Sequence, residues 1–158
     1  MDAAALEAAQ ARALGPLGRR GGYLTAIRRA LYDVMWNDVG ILRTPDGLAR
    51  GRAALDKLAA EIAQAGTVDD ELRYNLTWMD RLNLENLILV SRAICAAALA
   101  RSDSRGAHFR EDHPQPGELA TSRYTIARLR GEEIIMDSAP VAFTRVRPGE
   151  SLLAHAAE

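Results

Sequence analysis

From Asn83 to Ala100 the chain is apolar on nearly every side of a helix. Leu84, Leu87, Ile88, Ile94, Cys95 and Ala98 share one face, and Leu89, Ala93, Ala96 and Ala97 lie elsewhere around it. A helix with so little polar surface has to be surrounded, so this segment is expected to be the central, most enclosed element of a mainly α fold. Were five of its large side chains fully buried, at roughly 1.5–3 kcal/mol each, it would contribute on the order of 10 kcal/mol before entropy is subtracted. Its most apolar part, Leu87 to Ala100, is interrupted by Ser91 and Arg92. That falls short of the roughly 18–20 apolar residues a spanning helix needs, so no direct membrane insertion is expected.

The flanking sequence supplies the other helices. Asp2 is placed to cap a first helix from Ala3 to about Leu14, ended by Gly15-Pro16. Gly15 to Gly22, with four glycines, one proline and Arg19-Arg20, reads as a flexible connection. Thr25 then caps a second helix to about Val39, with Ile27, Leu31, Val34 and Met35 as its stripe and Gly40 as a left-handed terminator. On that stripe Met35 and Trp36 read as core, and Trp78-Met79 further on is read in the same way. Thr44-Pro45 is the start signature of a third helix, because proline gives up a donor that would be orphaned there anyway. Leu48, Leu55, Leu58 and Ile62 mark its buried face, and Gly66 its end. Asp69 is expected to cap a short turn around Leu72, followed by a less regular stretch from Tyr74 to Met79.

After Pro114, Tyr124 to Leu129, a turn near Gly131, Glu132 to Met136 and Val141 to Val146 carry a β-like pattern. The expectation is a helical bundle of three to four main helices with a short C-terminal β-hairpin or β-extension. Its parts are 1–22 (helix and linker), 23–114 (bundle) and 115–158 (β-like extension and a frayed, alanine-rich tail).

A chain of 158 residues holds one domain with its own core, not two catalytic domains. A net charge of -1 lacks the excess of clustered cations that nucleic acid requires. Lys57 is the one lysine, so nearly all positive charge is guanidinium, suited to fixed bidentate contacts. The lone Cys95 can form no internal disulfide and sits among apolar neighbours, which points to a buried thiol and a cytoplasmic location. No Gly-x-Gly-x-x-Gly and no Gly-Lys-Ser/Thr loop occurs, so no cofactor-binding residues are assigned. Ser102 and Ser104 approach His108 only in sequence, so no catalytic residues are assigned either.

The apolar run ends in a dense polar cluster, Arg101 to Pro114. His108, His113, Glu111 and Asp112 are metal-competent, but their spacing is unlike that of a zinc helix, and no metal ligands are assigned. As helix punctuation, Arg101 and Arg105 would sit at the negative end of the helix dipole, with Gly106 as terminator. As a docking surface, Arg105 and Arg110 would lie near the surface and clamp a partner's carboxylates around a Phe109 anchor, with Gly106, His108, Glu111 and Asp112 completing the patch. Docking is the favoured reading.

Two blocks carry a resemblance. Met35-Trp-Asn-Asp-Val-Gly-Ile-Leu-Arg43 and Asp103-Ser-Arg-Gly-Ala-His-Phe-Arg-Glu-Asp112, with Arg73-Tyr-Asn-Leu76 and Val141-Ala-Phe-Thr-Arg145, resemble the C-terminal helical domain of the succinate dehydrogenase, fumarate reductase and L-aspartate oxidase flavoproteins. The resemblance implies a helical bundle that packs on a flavin-binding chain or domain and supports dicarboxylate oxidation or reduction. FAD is expected on that partner, or on upstream domains, and not on this chain. In respiratory members an iron–sulfur subunit lies close by, which would make the location cytoplasmic and peripheral to the inner membrane. The chain opens with its own Met1 and lacks the ERDD continuation of respiratory dehydrogenases after Pro114. The first suggests a separate subunit or an excised domain, inert alone; the second leaves the family branch open. The rival expectation is a free-standing helical adaptor that has lost its flavin partner.

Overall fold

The computed structural model describes residues 2–150, so the alanine-rich C-terminal tail lies outside the described residues. Four helices form in the expected order: α1 (Ala3–Leu14), α2 (Leu24–Asn37), α3 (Pro45–Gln64) and α4 (Leu76–Ala100). Two small sheets join them. In one, β1 (Leu42–Arg43) pairs in parallel with β2 (Phe109–Arg110); in the other, β3 (Arg123–Arg130) and β4 (Glu133–Pro140) form an antiparallel hairpin. The fold is mainly α, as expected.

Local chemistry explains the helix starts. The Asp2 side chain accepts from the Ala4 amide at 3.1 Å, and Thr44 Oγ1 from the Gly47 amide at 3.0 Å, with Pro45 at the first helical position. α2 has no such side-chain cap, and it starts at Leu24, not after Thr25. α4 starts seven residues earlier than expected because Asn75 Oδ1 accepts from the Trp78 amide while Asn75 Nδ2 donates to the carbonyls of Asp69 and Glu71. The irregular stretch from Leu76 to Met79 is therefore its first turn. Val141 to Val146 forms no strand, and the hairpin instead extends to Pro140.

Ile27 and Leu31 of α2, Leu48, Leu55, Leu58 and Ile62 of α3, and Leu84, Ile88, Cys95 and Ala98 of α4 make the core. Several expectations are corrected. Trp36 is 81% exposed, and Met79 is exposed too. Leu87 and Ile94 are also exposed, because the neighbouring elements cover the α4 face carrying Arg81, Leu84, Ile88, Ser91, Cys95 and Ala98. Leu84 and Ile88 are its only large, fully buried apolar side chains among the described residues, two where five were assumed, so α4 buries less than was expected of it. By length and composition α4 could cross a membrane, although buried Arg81 sits on its core face. Gly40 has no left-handed backbone; a side chain there would instead strike the Trp36 carbonyl at 2.7 Å.

The Gly15 to Gly22 segment is no free tether. Gly66 donates to Gly21 and Thr67 to Pro16, at 3.0 and 2.9 Å, and a Cβ on Gly66 would fall 2.3 Å from the Arg19 carbonyl oxygen. Trp78 Nε1 also donates to the Ala13 carbonyl at 2.7 Å, and Arg12 reaches Glu85 and Asn86, fastening α1 to α4.

Candidate functional site: an arginine clasp at the end of the long helix

α4 ends at Ala100 with Arg101 in an extended conformation, leaving its last carbonyls without helical partners. Arg110, one residue into the parallel β1–β2 pair, turns its guanidinium back onto them. Nη1 donates to the carbonyls of Ala98, Leu99 and Arg101 at 2.9, 3.3 and 3.1 Å. Nε and Nη2 grip both oxygens of Asp112 at 2.7 and 2.6 Å. The hydrogen bond from Arg110 holds the Asp112 carboxyl below the usual carboxylate range. Arg110 is only 5% exposed, which corrects the expectation that it lies near the surface. Arg101 occupies the C-cap position, but the side chain that satisfies the end of α4 is that of Arg110, a fixed cation at the negative end of the dipole, and not that of Arg101 or Arg105.

The rest of the segment builds the frame that holds Arg110. Phe109 and Glu111 donate to the carbonyls of Ile41 and Arg43 at 3.2 and 2.9 Å, tying the two family-like blocks together. Buried Ser104 accepts from the Arg110 amide at 2.8 Å and donates to the His113 carbonyl at 2.6 Å. Arg105 and His108 exchange backbone bonds across a two-residue turn in which Gly106 takes φ 56°, while Gly106 and Ala107 form its exposed tip. Arg105 is half-buried and points inward, donating to the carbonyls of Pro116 and Glu118 at 2.6 and 3.2 Å and to Ser122 Oγ. Asp103 bridges Arg101 and Arg105, and Arg101 continues to Thr125 Oγ1 at 3.1 Å on the hairpin.

His108 sits where these groups converge. Its Nδ1 lies 2.5 Å from Arg43 Nη1. Arginine only donates, so Nδ1 accepts and the ring proton is assigned to Nε2. That Nε2 is buried without a hydrogen-bond partner among the described residues. Burial, followed by the charges of Arg43 and Arg101, pushes His108 below its ordinary pKa, so the ring is neutral near pH 7. The Ser104 hydroxyl is consumed by backbone groups, and Cys95 is buried with its thiol pushed up by desolvation. Among the described residues neither hydroxyl nor thiol is thus free to act as a nucleophile beside the imidazole. Among the described residues no three His, Cys, Asp or Glu side chains gather as a metal site. Of the expected patch, Glu111, Asp112 and His113 are exposed, Arg105, His108 and Phe109 are half-buried, and Arg110 is inside.

Sequence reasoning missed a second clasp of the same kind. Arg81, also buried, donates to the carbonyls of Ile62 and Ala65 at the C-terminus of α3, at 3.0 and 3.1 Å, while its Nη1 meets Glu85 at 2.5 Å. Burial opposes ionisation of Glu85, but hydrogen bonds from Arg12 and Arg81 outweigh it and its carboxyl titrates low. The available signal was an arginine with a carboxylate four residues on, at the foot of an apolar helix. A concavity of about 380 Å³ between α3, α4 and β4 has Cys95 and Leu99 in its lining, with Arg92 paired to Asp56 at the edge.

Residues 28–152 match the family model described as fumarate reductase flavoprotein C-term. The chain belongs to this family. L-Aspartate oxidase of Streptomyces coelicolor is 31% identical over 108 residues, 68% of this chain and 18% of that one. The succinate dehydrogenase flavoprotein of Coxiella burnetii is 29% identical over 100 residues, 63% of this chain and 17% of that one. Among solved structures, Mycobacterium smegmatis Sdh1 in complex with UQ1 superposes with a TM-score of 0.74 at 25% identity, over 89% of this chain and 24% of that one. The chain thus spans under a quarter of the length of these relatives, and it corresponds to the C-terminal domain of succinate dehydrogenase and fumarate reductase flavoproteins.

Proposed function

We propose that this domain packs on a flavin-binding chain or domain that carries FAD, and that it supports the oxidation or reduction of a dicarboxylate there without touching the cofactor. The observation that carries the reading is the family match over residues 28–152 to the C-terminal part of a flavoprotein. The clasp geometry supports it: the polar block that resembles the family is occupied in holding the ends of α4, β1–β2 and the hairpin together. Its contribution is a rigid shape, and catalysis belongs to the partner. An iron–sulfur protein next to that partner, and a cytoplasmic location peripheral to the inner membrane, follow from the same reading.

Two small sheets and four helices offer no parallel sheet of the dinucleotide-binding kind among the described residues. The purified chain should therefore show no visible flavin absorption, whereas a flavoprotein truncated before its own C-terminal domain should retain more FAD when this chain is added. Stoichiometric flavin on the chain alone would overturn the reading.

A further inference from the structure

We infer that the outward stripe of α4 is the surface that a flavin-binding portion covers, an assignment that rests on the reading above and names its contact. Leu76, Met79, Leu87, Val90 and Ile94 are all exposed. At about 100° per residue they fall within a stripe about 80° wide, beside the core-facing one. Asn83 and Ala97 complete it, so it carries no charged side chain along about 32 Å of helix. A helix face meant for water is charged and polar, and the two tightly held ends show that this one is not loosely folded chain. Only 28% of the most apolar part of α4 is buried within the described residues.

Just ahead of the stripe stands Tyr74, 92% exposed, and the one non-glycine residue with positive φ (59°) among the described residues. A large aromatic held outward in a sparsely populated conformation has the character of an interface anchor. Leu76 follows it at 80% exposure.

Three observations choose the occupant. The matched relatives carry over four fifths of their length outside the shared segment, which is 17–18% of each, and the family model places that segment at the C-terminal end of a flavoprotein. A stripe without charge selects an apolar counter-surface. Its length suits a folded domain better than a short peptide, which would engage a few turns.

The test uses the 158-residue chain with S. coelicolor L-aspartate oxidase truncated before its matched segment, followed by size exclusion with detection of visible flavin absorption. The wild-type chain is expected to co-elute with flavin. Val90→Arg should weaken association at least tenfold, Tyr74→Ala several-fold, and Leu129→Glu on the exposed hairpin not at all. Tyr74 lies outside the helix, so its variant remains informative if Val90→Arg fails to fold. Wild type that binds while both stripe variants bind within twofold of it overturns this inference alone. Wild type that does not bind overturns the proposed function with it. Self-association, or binding to phospholipid vesicles, that Val90→Arg abolishes in place of flavoprotein binding would assign the stripe to a second copy or to a bilayer and overturn it equally.

Discussion

Replacing Arg110 by Met isolates what the clasp is for. The side chains are of similar length and apolar stem, so the change removes donors and charge with little loss of packing. Three carbonyls lose their donor: Ala98 at 2.9 Å, Arg101 at 3.1 Å and Leu99 at a weaker 3.3 Å. A buried acceptor left without a partner costs about 1–3 kcal/mol; Ala98 is buried and Arg101 half-buried, so the two stronger bonds set an upper range of roughly 2–6 kcal/mol. Water entering the emptied space offsets part of this. Asp112 is exposed and is solvated once released. About 3 kcal/mol is the expected net loss, which in a domain of this size lowers Tm by roughly 6–12 °C. Thermal unfolding followed by circular dichroism reads it directly. Arg105→Met is the comparison: its carbonyl acceptors Pro116 and Glu118 are exposed, and its other partners, Ser122 and Asp103, are half-buried and still reach water, so the loss should be clearly smaller, about 1 kcal/mol, or roughly 2–4 °C. An Arg110→Met protein melting within about 2 °C of wild type, or an equal loss at Arg105, would refute the capping role.

His108 supplies a pH dependence. Because burial and the Arg43 and Arg101 charges depress its folded-state pKa, the unfolded chain binds more protons below its ordinary value of 6.5; stability should be intact above that pH and fall as pH drops toward the folded value. Urea midpoints measured between about pH 7.5 and 5.5 should decline for wild type and much less for His108→Gln, and parallel profiles would rule the histidine out. At the turn tip, Gly106→Ala meets no atoms but must adopt φ 56°, so a loss of about 1 kcal/mol is expected. Gly66→Ala drives a Cβ to 2.3 Å from the Arg19 carbonyl and should cost more, since backbone must move; denaturant midpoints in the reverse order would contradict the packing of the 15–22 segment onto that turn.

Much of the fold is written in local chemistry. Asp2 and the Thr44-Pro45 pair determine where α1 and α3 begin, because a capped amide is satisfied by residues two or three positions away. The core stripe of α3 is likewise legible in its spacing, since α2 and α4 pack on the same side of it and bury one face. The two family-like blocks were recognisable as sequence, but their joint meaning was not. Only the tertiary structure sets Phe109 and Glu111 beside Ile41 and Arg43 and turns Arg110 inward as an internal clasp, while Gly106, Glu111 and Asp112 of the same cluster stay exposed. A guanidinium reaches carbonyls nine to twelve residues away in sequence, a distance at which composition carries no direction. The apolar circumference of α4 was equally plain in the sequence, yet hydropathy states that a surface avoids water without stating what covers it. Packing of α2, α3 and the hairpin decided which side of α4 this chain covers, and left Leu87, Val90 and Ile94 exposed because those elements enclose only part of the helix.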